Sequence, residues 1–209
     1  MENKQVLNHQ TSSKELHLIS CGWEKCTPEQ SYGPGVRRYY TIHFVLSGQG
    51  YFYMNNRKYT IKAGQCFFIP PVTSSLYKAE PSDPWTYIWI CFNGENAPML
   101  CEHCHLTEET PIQQLDSVLP YQETILEMMT HPQLTPSSEA YIQSGLYRII
   151  AMLEEEMEAI LMERIRDKAN AERYDRMIQK REAEIAAAQK QIEELQNIAY
   201  QPQSPLRTF

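Results

Sequence analysis

Cys101, His103, Cys104 and His105 stand within five residues, in the run CEHCHL. Thiolate and imidazole groups are zinc ligands, and a zinc site usually takes two such pairs arranged tetrahedrally. Cys21 and Cys26 could in principle supply the second pair, at an unusual spacing of five. On a helix Cys101, Cys104 and His105 share one face, which suits packing as well as ligation. Packing is the reading adopted, and no metal ligand is assigned. A metal-dependent barrel enzyme needs several histidines and a carboxylate inside the barrel. Between residues 36 and 94, where the strand-like segments lie, His43 is the only histidine. No Gly-rich phosphate loop, nucleophile elbow or Ser/His/Asp arrangement stands out either. Neither a catalytic residue nor a cofactor is expected, and the chain does not read as an enzyme.

Aromatic surface is a different resource. Tyr77, Trp85, Tyr87 and Trp89 lie close together in sequence, with Arg37 and Arg38 upstream. Ring faces accompanied by hydroxyl, indole N–H and guanidinium donors suit a small polyhydroxylated ligand such as a sugar. The competing reading is that the same rings simply fill a small barrel.

The elements that would hold these residues change character along the chain. Residues 43–71, HFVLSGQGYFYMNNRKYTIKAGQCFFIPP, alternate apolar and polar types and are broken by Gly48, Gly50, Asn55, Asn56 and Gly64. RRYYTIHFVLS, GYFYMNN, RKYTIKAG, QCFFIPP and WTYIWICFNG read as short strands, the fourth stopped by Pro70 and Pro71. In the last of them Thr86, Ile88 and Ile90 share one face and Tyr87, Trp89 and Cys91 the other. Such spacing predicts an antiparallel sandwich or small barrel, and the lack of βαβ alternation disfavours a doubly wound nucleotide fold. The parity of His43 is left open.

From about Asn96 the period becomes helical. NAPMLCEHCHL reads as a short helix, IQQLDSVLPYQETILEMMTH as a helix restarted or kinked at Pro120, and a long Pro-free helix begins with Ser137 or Ser138 as N-cap. One heptad register then runs far. Ile150, Met157, Ala171, Ile178, Ile185, Ile192 and Ala199 share one position; Leu146, Leu153, Ile160, Tyr174, Ala188 and Leu195 share the other. Such a seam pairs helices, and Arg164, Asp167 and Arg181 are its defects, the first two marking a bend or a helix junction. A solitary amphipathic helix is the alternative.

The totals set bounds. In 209 residues, 42% are hydrophobic and 19 basic residues face 26 acidic ones, a net charge of −7 that disfavours a chain devoted to phosphate binding. From Ile150 onward nine Lys/Arg face twelve Asp/Glu, so this half does not read as a DNA-binding surface. No signal peptide or membrane-length apolar run stands out, and six cysteines in such a chain read as reduced thiols in the cytoplasm.

The run YGPGVRRYYTIHFVLSGQGYFYMNNRKYTIKAGQCFFIPP followed by YKAEPSDPWTYIWICFNG resembles the N-terminal sensor domain of AraC-type transcription regulators. The likeness covers roughly 16–153, and CGWEKCTPEQSYGP resembles the family's lead-in to the barrel. The resemblance implies an α+β fold: an antiparallel cupin-like β-barrel that binds an effector without metal, often a carbohydrate, followed by helices for dimerisation. It further implies an N-terminal arm that folds over the pocket. On it Trp89 matches the tryptophan that stacks on the sugar, Tyr77 and Tyr87 match polar pocket positions, and Arg38 and His43 join the expected ligand set. ERYDRMIQKREAEIAAAQKQIEELQ is similar to the coiled coil near the C-terminus of large serine recombinases.

The expected organisation is an arm at 1–15, a barrel at 16–108, a helical dimerisation segment at 109–163, a long coiled-coil-like helix at 164–199 and a disordered tail at 200–209. Leu146, Ile150, Leu153, Met157 and Ile160 are the expected dimer contacts. The expected function is small-molecule sensing and homodimerisation in the cytoplasm, without the family's helix-turn-helix segment, direct DNA contact or a membrane. Two other readings stand beside it: a coiled-coil interaction protein with the barrel as scaffold, and a divergent metal cupin using His43 with the CEHCH cysteines.

Overall fold

A computed structural model describes residues 4–7, 13–131 and 135–199. Ten strands, two short helices and one long helix follow one another. Strands β1 (Lys4–Leu7), β2 (His17–Lys25), β3 (Ser31–Val36), β4 (Tyr40–Ser47), β5 (Gln49–Met54), β6 (Arg57–Lys62), β7 (Gln65–Ile69), β8 (Ser74–Ala79) and β9 (Thr86–Asn93) precede α1 (Ala97–His103). Strand β10 (Ile112–Gln114), α2 (Leu119–Met129) and α3 (Pro136–Ala199) complete the order. The strands form two antiparallel sheets, ordered β1-β2-β9-β4-β7-β10 and β3-β8-β5-β6. Because β10 pairs with β7, the sheet extends past the expected limit at 108.

Local chemistry explains the hairpins. Asn55 and Asn56 both have positive φ, 50° and 60°. That is the backbone a two-residue hairpin requires, and asparagine tolerates it better than most residues. At Gly50 a Cβ would lie 2.5 Å from two ring carbons of Trp85, so the missing side chain lets a fully buried indole lie on β5.

The sheets bury two cores. One lies between them, around Phe52, Met54, Ile61, Phe67, Trp85 and Tyr87. The other forms where Phe44, Ile88, Ile90 and Phe92 meet Tyr121, Ile125 and Met128 of α2 and the start of α3. Phe44 and Tyr121 stack with ring centroids 4.6 Å apart. Gly145 of α3 lies against Met128; a Cβ there would come within 2.5 Å of its Cγ.

α3 differs from expectation in three ways. Its N-terminal cap is Thr135, whose hydroxyl accepts a bond from the Ser138 backbone N–H at 3.1 Å, rather than Ser137 or Ser138. It runs through Arg164 and Asp167 without a break. It is also spent inward at its start: Leu146, Ile150 and Leu153 are buried in this chain's own core with Ile142 and Ile149. The 3–4 spacing that pairs helices also seats a helix on a sheet face, and here the sheet and α2 take that stripe. Those three residues are therefore corrected from dimer contacts to core. Met157 is half-buried, accepting from Gln113 Nε2 at its sulfur, while Ile160 is 37% exposed.

The chain divides into two units between Glu158 and Ala159. The first holds the sheets, α1, α2 and the start of α3; the second is the rest of α3. Of the expected arm only 4–7 and 13–15 are described, and the expected tail at 200–209 lies outside the described residues, as do the side chains of Ile185, Ala188, Ile192, Leu195 and Ala199. No described helix is long and apolar enough to cross a membrane.

Leu146→Ala tests the correction. It should lower unfolding free energy by about 2–5 kcal/mol through the cavity it leaves, read by urea denaturation, and leave the self-association state unchanged in sedimentation.

Candidate functional site

Strand β9 decides where the aromatic residues go. Ile88, Ile90 and Phe92 face the helices, whereas Tyr87, Trp89 and Cys91 face a cavity of about 360 Å³. Across the β4–β9 pairing Thr41 lies opposite Cys91 and His43 opposite Trp89, so both β4 side chains enter the same space. Gln5, Ser20, Glu24, Tyr32, Arg37 and Tyr77 complete most of its wall. Gln5 arrives on β1, held by antiparallel pairing with β2.

The polar wall is organised by Glu24, a carboxylate only 9% exposed. Its Oε1 accepts from the Tyr32 hydroxyl at 2.5 Å and from Gln30 Nε2 at 2.8 Å, and its Oε2 accepts from the Tyr87 hydroxyl at 2.9 Å. Gln30 Nε2 also donates to the Tyr32 oxygen at 2.8 Å. Burial first, and the hydrogen bond to Glu24 second, push the Tyr32 phenol up to about 12. Burial likewise raises Tyr77 and Tyr87, so all three phenols keep their protons.

His43 lies on the cavity floor, stacked on Phe67 at 4.4 Å with planes 4° apart and edged by Tyr87 at 5.0 Å. Its pKa falls well below 6.5, chiefly from burial and then from the charge of Arg37, which holds the ring neutral. The Arg37 guanidinium sits 5.7 Å from the centre of the Tyr77 ring. His43 Nδ1 and Arg37 Nη1 are buried and find no hydrogen-bond partner among the described residues.

Of the expected ligand set, His43, Tyr77, Tyr87 and Trp89 line this cavity and Arg38 does not. In the connection between β3 and β4, Arg37 and Tyr39 line the cavity while Arg38 is exposed, so Arg37 takes the place expected of Arg38. Trp85 lies deeper, in the core between the sheets. Glu24 and Tyr32 were not singled out by sequence, although WEK and QSYG lie in the stretch that resembles the barrel lead-in. The CEHCH cluster is split: Cys101 and Cys104 are buried on the helix side of the sheet, His103 meets Glu154 at 3.4 Å, and His105 is exposed. Burial raises the thiols, Cys104 to about 12. His43 lies on the opposite face of the sheet, and among the described residues no three His, Cys, Asp or Glu side chains converge as a metal site would need.

The sequence matches the AraC-like ligand binding domain over residues 17–167. The chain belongs to the AraC-like ligand-binding domain family. This AraC-like chain is 33% identical over 144 residues to the Msm operon regulatory protein of Streptococcus mutans, covering 68% of this chain and 51% of that protein. It is 33% identical over 105 residues to the raffinose operon transcriptional regulatory protein of Pediococcus pentosaceus, covering 46% and 38% respectively. With the lactose operon transcription activator of Staphylococcus xylosus it shares 25% identity over 148 residues, covering 70% and 53%. The chain thus spans about half the length, or less, of the curated relatives it matches. Among solved structures it is similar to YhaK of Escherichia coli, with a TM-score of 0.42, 14% identity and coverage of 55% of this chain and 51% of that one. It is also similar to a Cupin 2 conserved barrel protein of Salinispora arenicola, with a TM-score of 0.36, 15% identity and coverage of 44% and 75%. Two antiparallel sheets followed by helices put the chain in the α+β class. The family match ends at residue 167, and the expected likeness of the following stretch to a recombinase coiled coil is not shown by it.

The neutral state of His43 carries a pH signature. Above the ordinary value of 6.5 the ring is neutral folded and unfolded; as pH falls through 6.5, the unfolded chain gains a proton that the folded chain refuses. Folding stability from this group should fall by up to about 1.4 kcal/mol per pH unit below that point. His43→Phe, which keeps a ring on Phe67, should remove this component in urea unfolding measured between pH ~7.5 and ~5.5.

Proposed function

We propose that this chain is the sensing part of a sugar-operon regulator and holds a small carbohydrate in the cavity beneath β1. One observation carries the reading: the walls combine ring faces with buried polar groups, and two buried nitrogens, His43 Nδ1 and Arg37 Nη1, have no partner among the described residues. An unpaired buried polar atom is expensive, and a ligand oxygen would satisfy it. A ring-shaped polyol suits both surfaces, stacking on Trp89 while its hydroxyls reach the polar wall. The operons named for two of the relatives, raffinose and lactose, support a sugar as the ligand class.

The signal in this reading is a population shift. Gln5 belongs to the cavity wall only while β1 is paired to β2, so a ligand touching Gln5 binds the docked state better and stabilises it. The protein acts as a sensor rather than an enzyme, and no DNA contact is assigned to these residues.

A second activity, pairing with another copy of this chain, is favoured by α3 beyond Glu158. Ile160, Tyr174 and Ile178 of the heptad seam are 37%, 65% and 55% exposed, flanked by exposed Leu161 and Met177. In this reading the exposed residues of the second unit, and not the buried Leu146, Ile150 and Leu153, support pairing.

Titration of the full chain with galactose, lactose and raffinose, followed by tryptophan fluorescence, should give a saturable change with at least one sugar. Trp89→Ala should abolish it while circular dichroism stays unchanged; a flat response to every sugar sinks the reading. Separately, Ile160→Lys combined with Ile178→Lys should convert a dimer to a monomer in light scattering without moving the melting temperature. Unchanged mass would place the dimer contact elsewhere.

A further inference from the structure

One exposed residue has a backbone conformation that its type avoids. Val72 has a φ of 62°, in the left-handed region, and is 75% exposed. It follows Pro71 in the turn between β7 and β8, where glycine or asparagine is the usual occupant. A β-branched side chain in that region is a genuine outlier, and a valine so exposed buries too little surface to offset the strain. What the conformation does deliver is an N–H, which donates to the Arg37 carbonyl oxygen at 2.6 Å.

The turn behind that N–H is itself tied down. Thr73 Oγ1 donates to Glu108 Oε1 at 3.1 Å, and the other oxygen of Glu108 accepts from Asn55 Nδ2 at 2.9 Å. Facing the turn, three residues, 37–39, carry the chain from the end of β3 at Val36 to the start of β4 at Tyr40. Asn93 Nδ2 reaches the Arg38 carbonyl in this connection at 3.4 Å, a longer and exposed bond. The bond from Val72 is the tighter tether, and it falls on the arginine that lines the cavity.

Resting on the sensing reading, we infer that Val72 is a positioning residue of the cavity: its left-handed turn pins the Arg37 backbone, so that Arg37 and not Arg38 enters as a donor to the ligand. A guanidinium hangs on a long stem with many rotamers, and ordering it on binding costs affinity unless the stem starts from a fixed point. A carbonyl held from outside fixes that point and leaves the buried Nη1 without a partner among the described residues. Strained backbone persists where its surroundings over-determine it, as at a ligand clamp, and the Thr73–Glu108–Asn55 tie does so here.

The test is a calorimetric titration of the full chain with galactose, lactose and raffinose. With a sugar that binds, Val72→Pro, which removes the N–H and cannot take a positive φ, should weaken binding about tenfold. Arg37→Met, which keeps an apolar stem without the guanidinium, should weaken it by at least as much. The two together should weaken it no further than Arg37→Met alone, because a clamp acting through Arg37 then has nothing left to hold. Val72→Asn tolerates left-handed backbone and still carries the N–H, so it should rescue the affinity that Val72→Pro loses without lowering the melting temperature. Should Val72→Pro fail to fold, Thr73→Val, which frees the turn from Glu108, takes its place in the same cycle with a several-fold loss. Losses that add in the double variant, full affinity in the folded turn variant, or full affinity in Arg37→Met overturns the inference while the sensing reading stands. Binding of none of the three sugars overturns both.

Discussion

Strand β9 is hydrogen-bonded between β2 and β4, with successive side chains on opposite faces of the sheet. That period of two is the constraint on which the rest depends. Ile88, Ile90 and Phe92 must meet something apolar, and α2 with the start of α3 supplies it. Tyr87, Trp89 and Cys91 are thereby committed to the opposite side, where the second sheet cannot close completely over them and a cavity remains. A one-residue slip of β9 would exchange the two sets, placing three bulky apolar side chains in the cavity and two aromatic rings against the helices. Cavity and helix platform are two faces of one ribbon.

The cavity gains its polarity from a second constraint, the near burial of Glu24. A carboxylate removed from water has to be met by hydrogen bonds, and three donated bonds from Gln30, Tyr32 and Tyr87 meet it. These bonds join β2, the segment before β3, β3 and β9, so the group that shapes the site also ties its walls together. Burial, and after it the charge of Arg37, keeps the His43 imidazole neutral. Burial holds the thiols of Cys21, Cys66 and Cys104 high, at about 12, which fits cysteines acting as small apolar core residues.

Much of this was legible in the sequence where burial is one-sided. The β9 parity, the Asn55–Asn56 turn and the stop at Pro70 all follow from local pattern or turn chemistry. Strand β2 was hard to read because HLISCGWEK is largely buried on both faces and shifts register between Leu18 and Ser20, which erases alternation. Glu24 was hidden with it, since nothing local shows that a lone carboxylate will meet two tyrosines 8 and 63 residues away. Arg37 and Arg38 are adjacent and identical in type, and the course of the β3–β4 connection that separates them has no local signature. The α3 seam was read as one continuous pairing surface because heptad spacing does not say which partner a stripe meets. The barrel takes its first turns, and exposed apolar residues begin again at Ile160.

The order of the larger sheet has a further consequence. Among the described residues it ends in β1, Lys4–Leu7, on one side and in β10, three residues long, on the other. An open sheet edge is a template for a neighbouring molecule's strand, and the length of the edge sets how many backbone bonds an intruder can make. The three-residue β10 leaves little to copy, so that border of the sheet guards against strand-to-strand aggregation. On the other border the strand that carries Gln5 covers β2, and a molecule that lost it would uncover the nine-residue edge of β2.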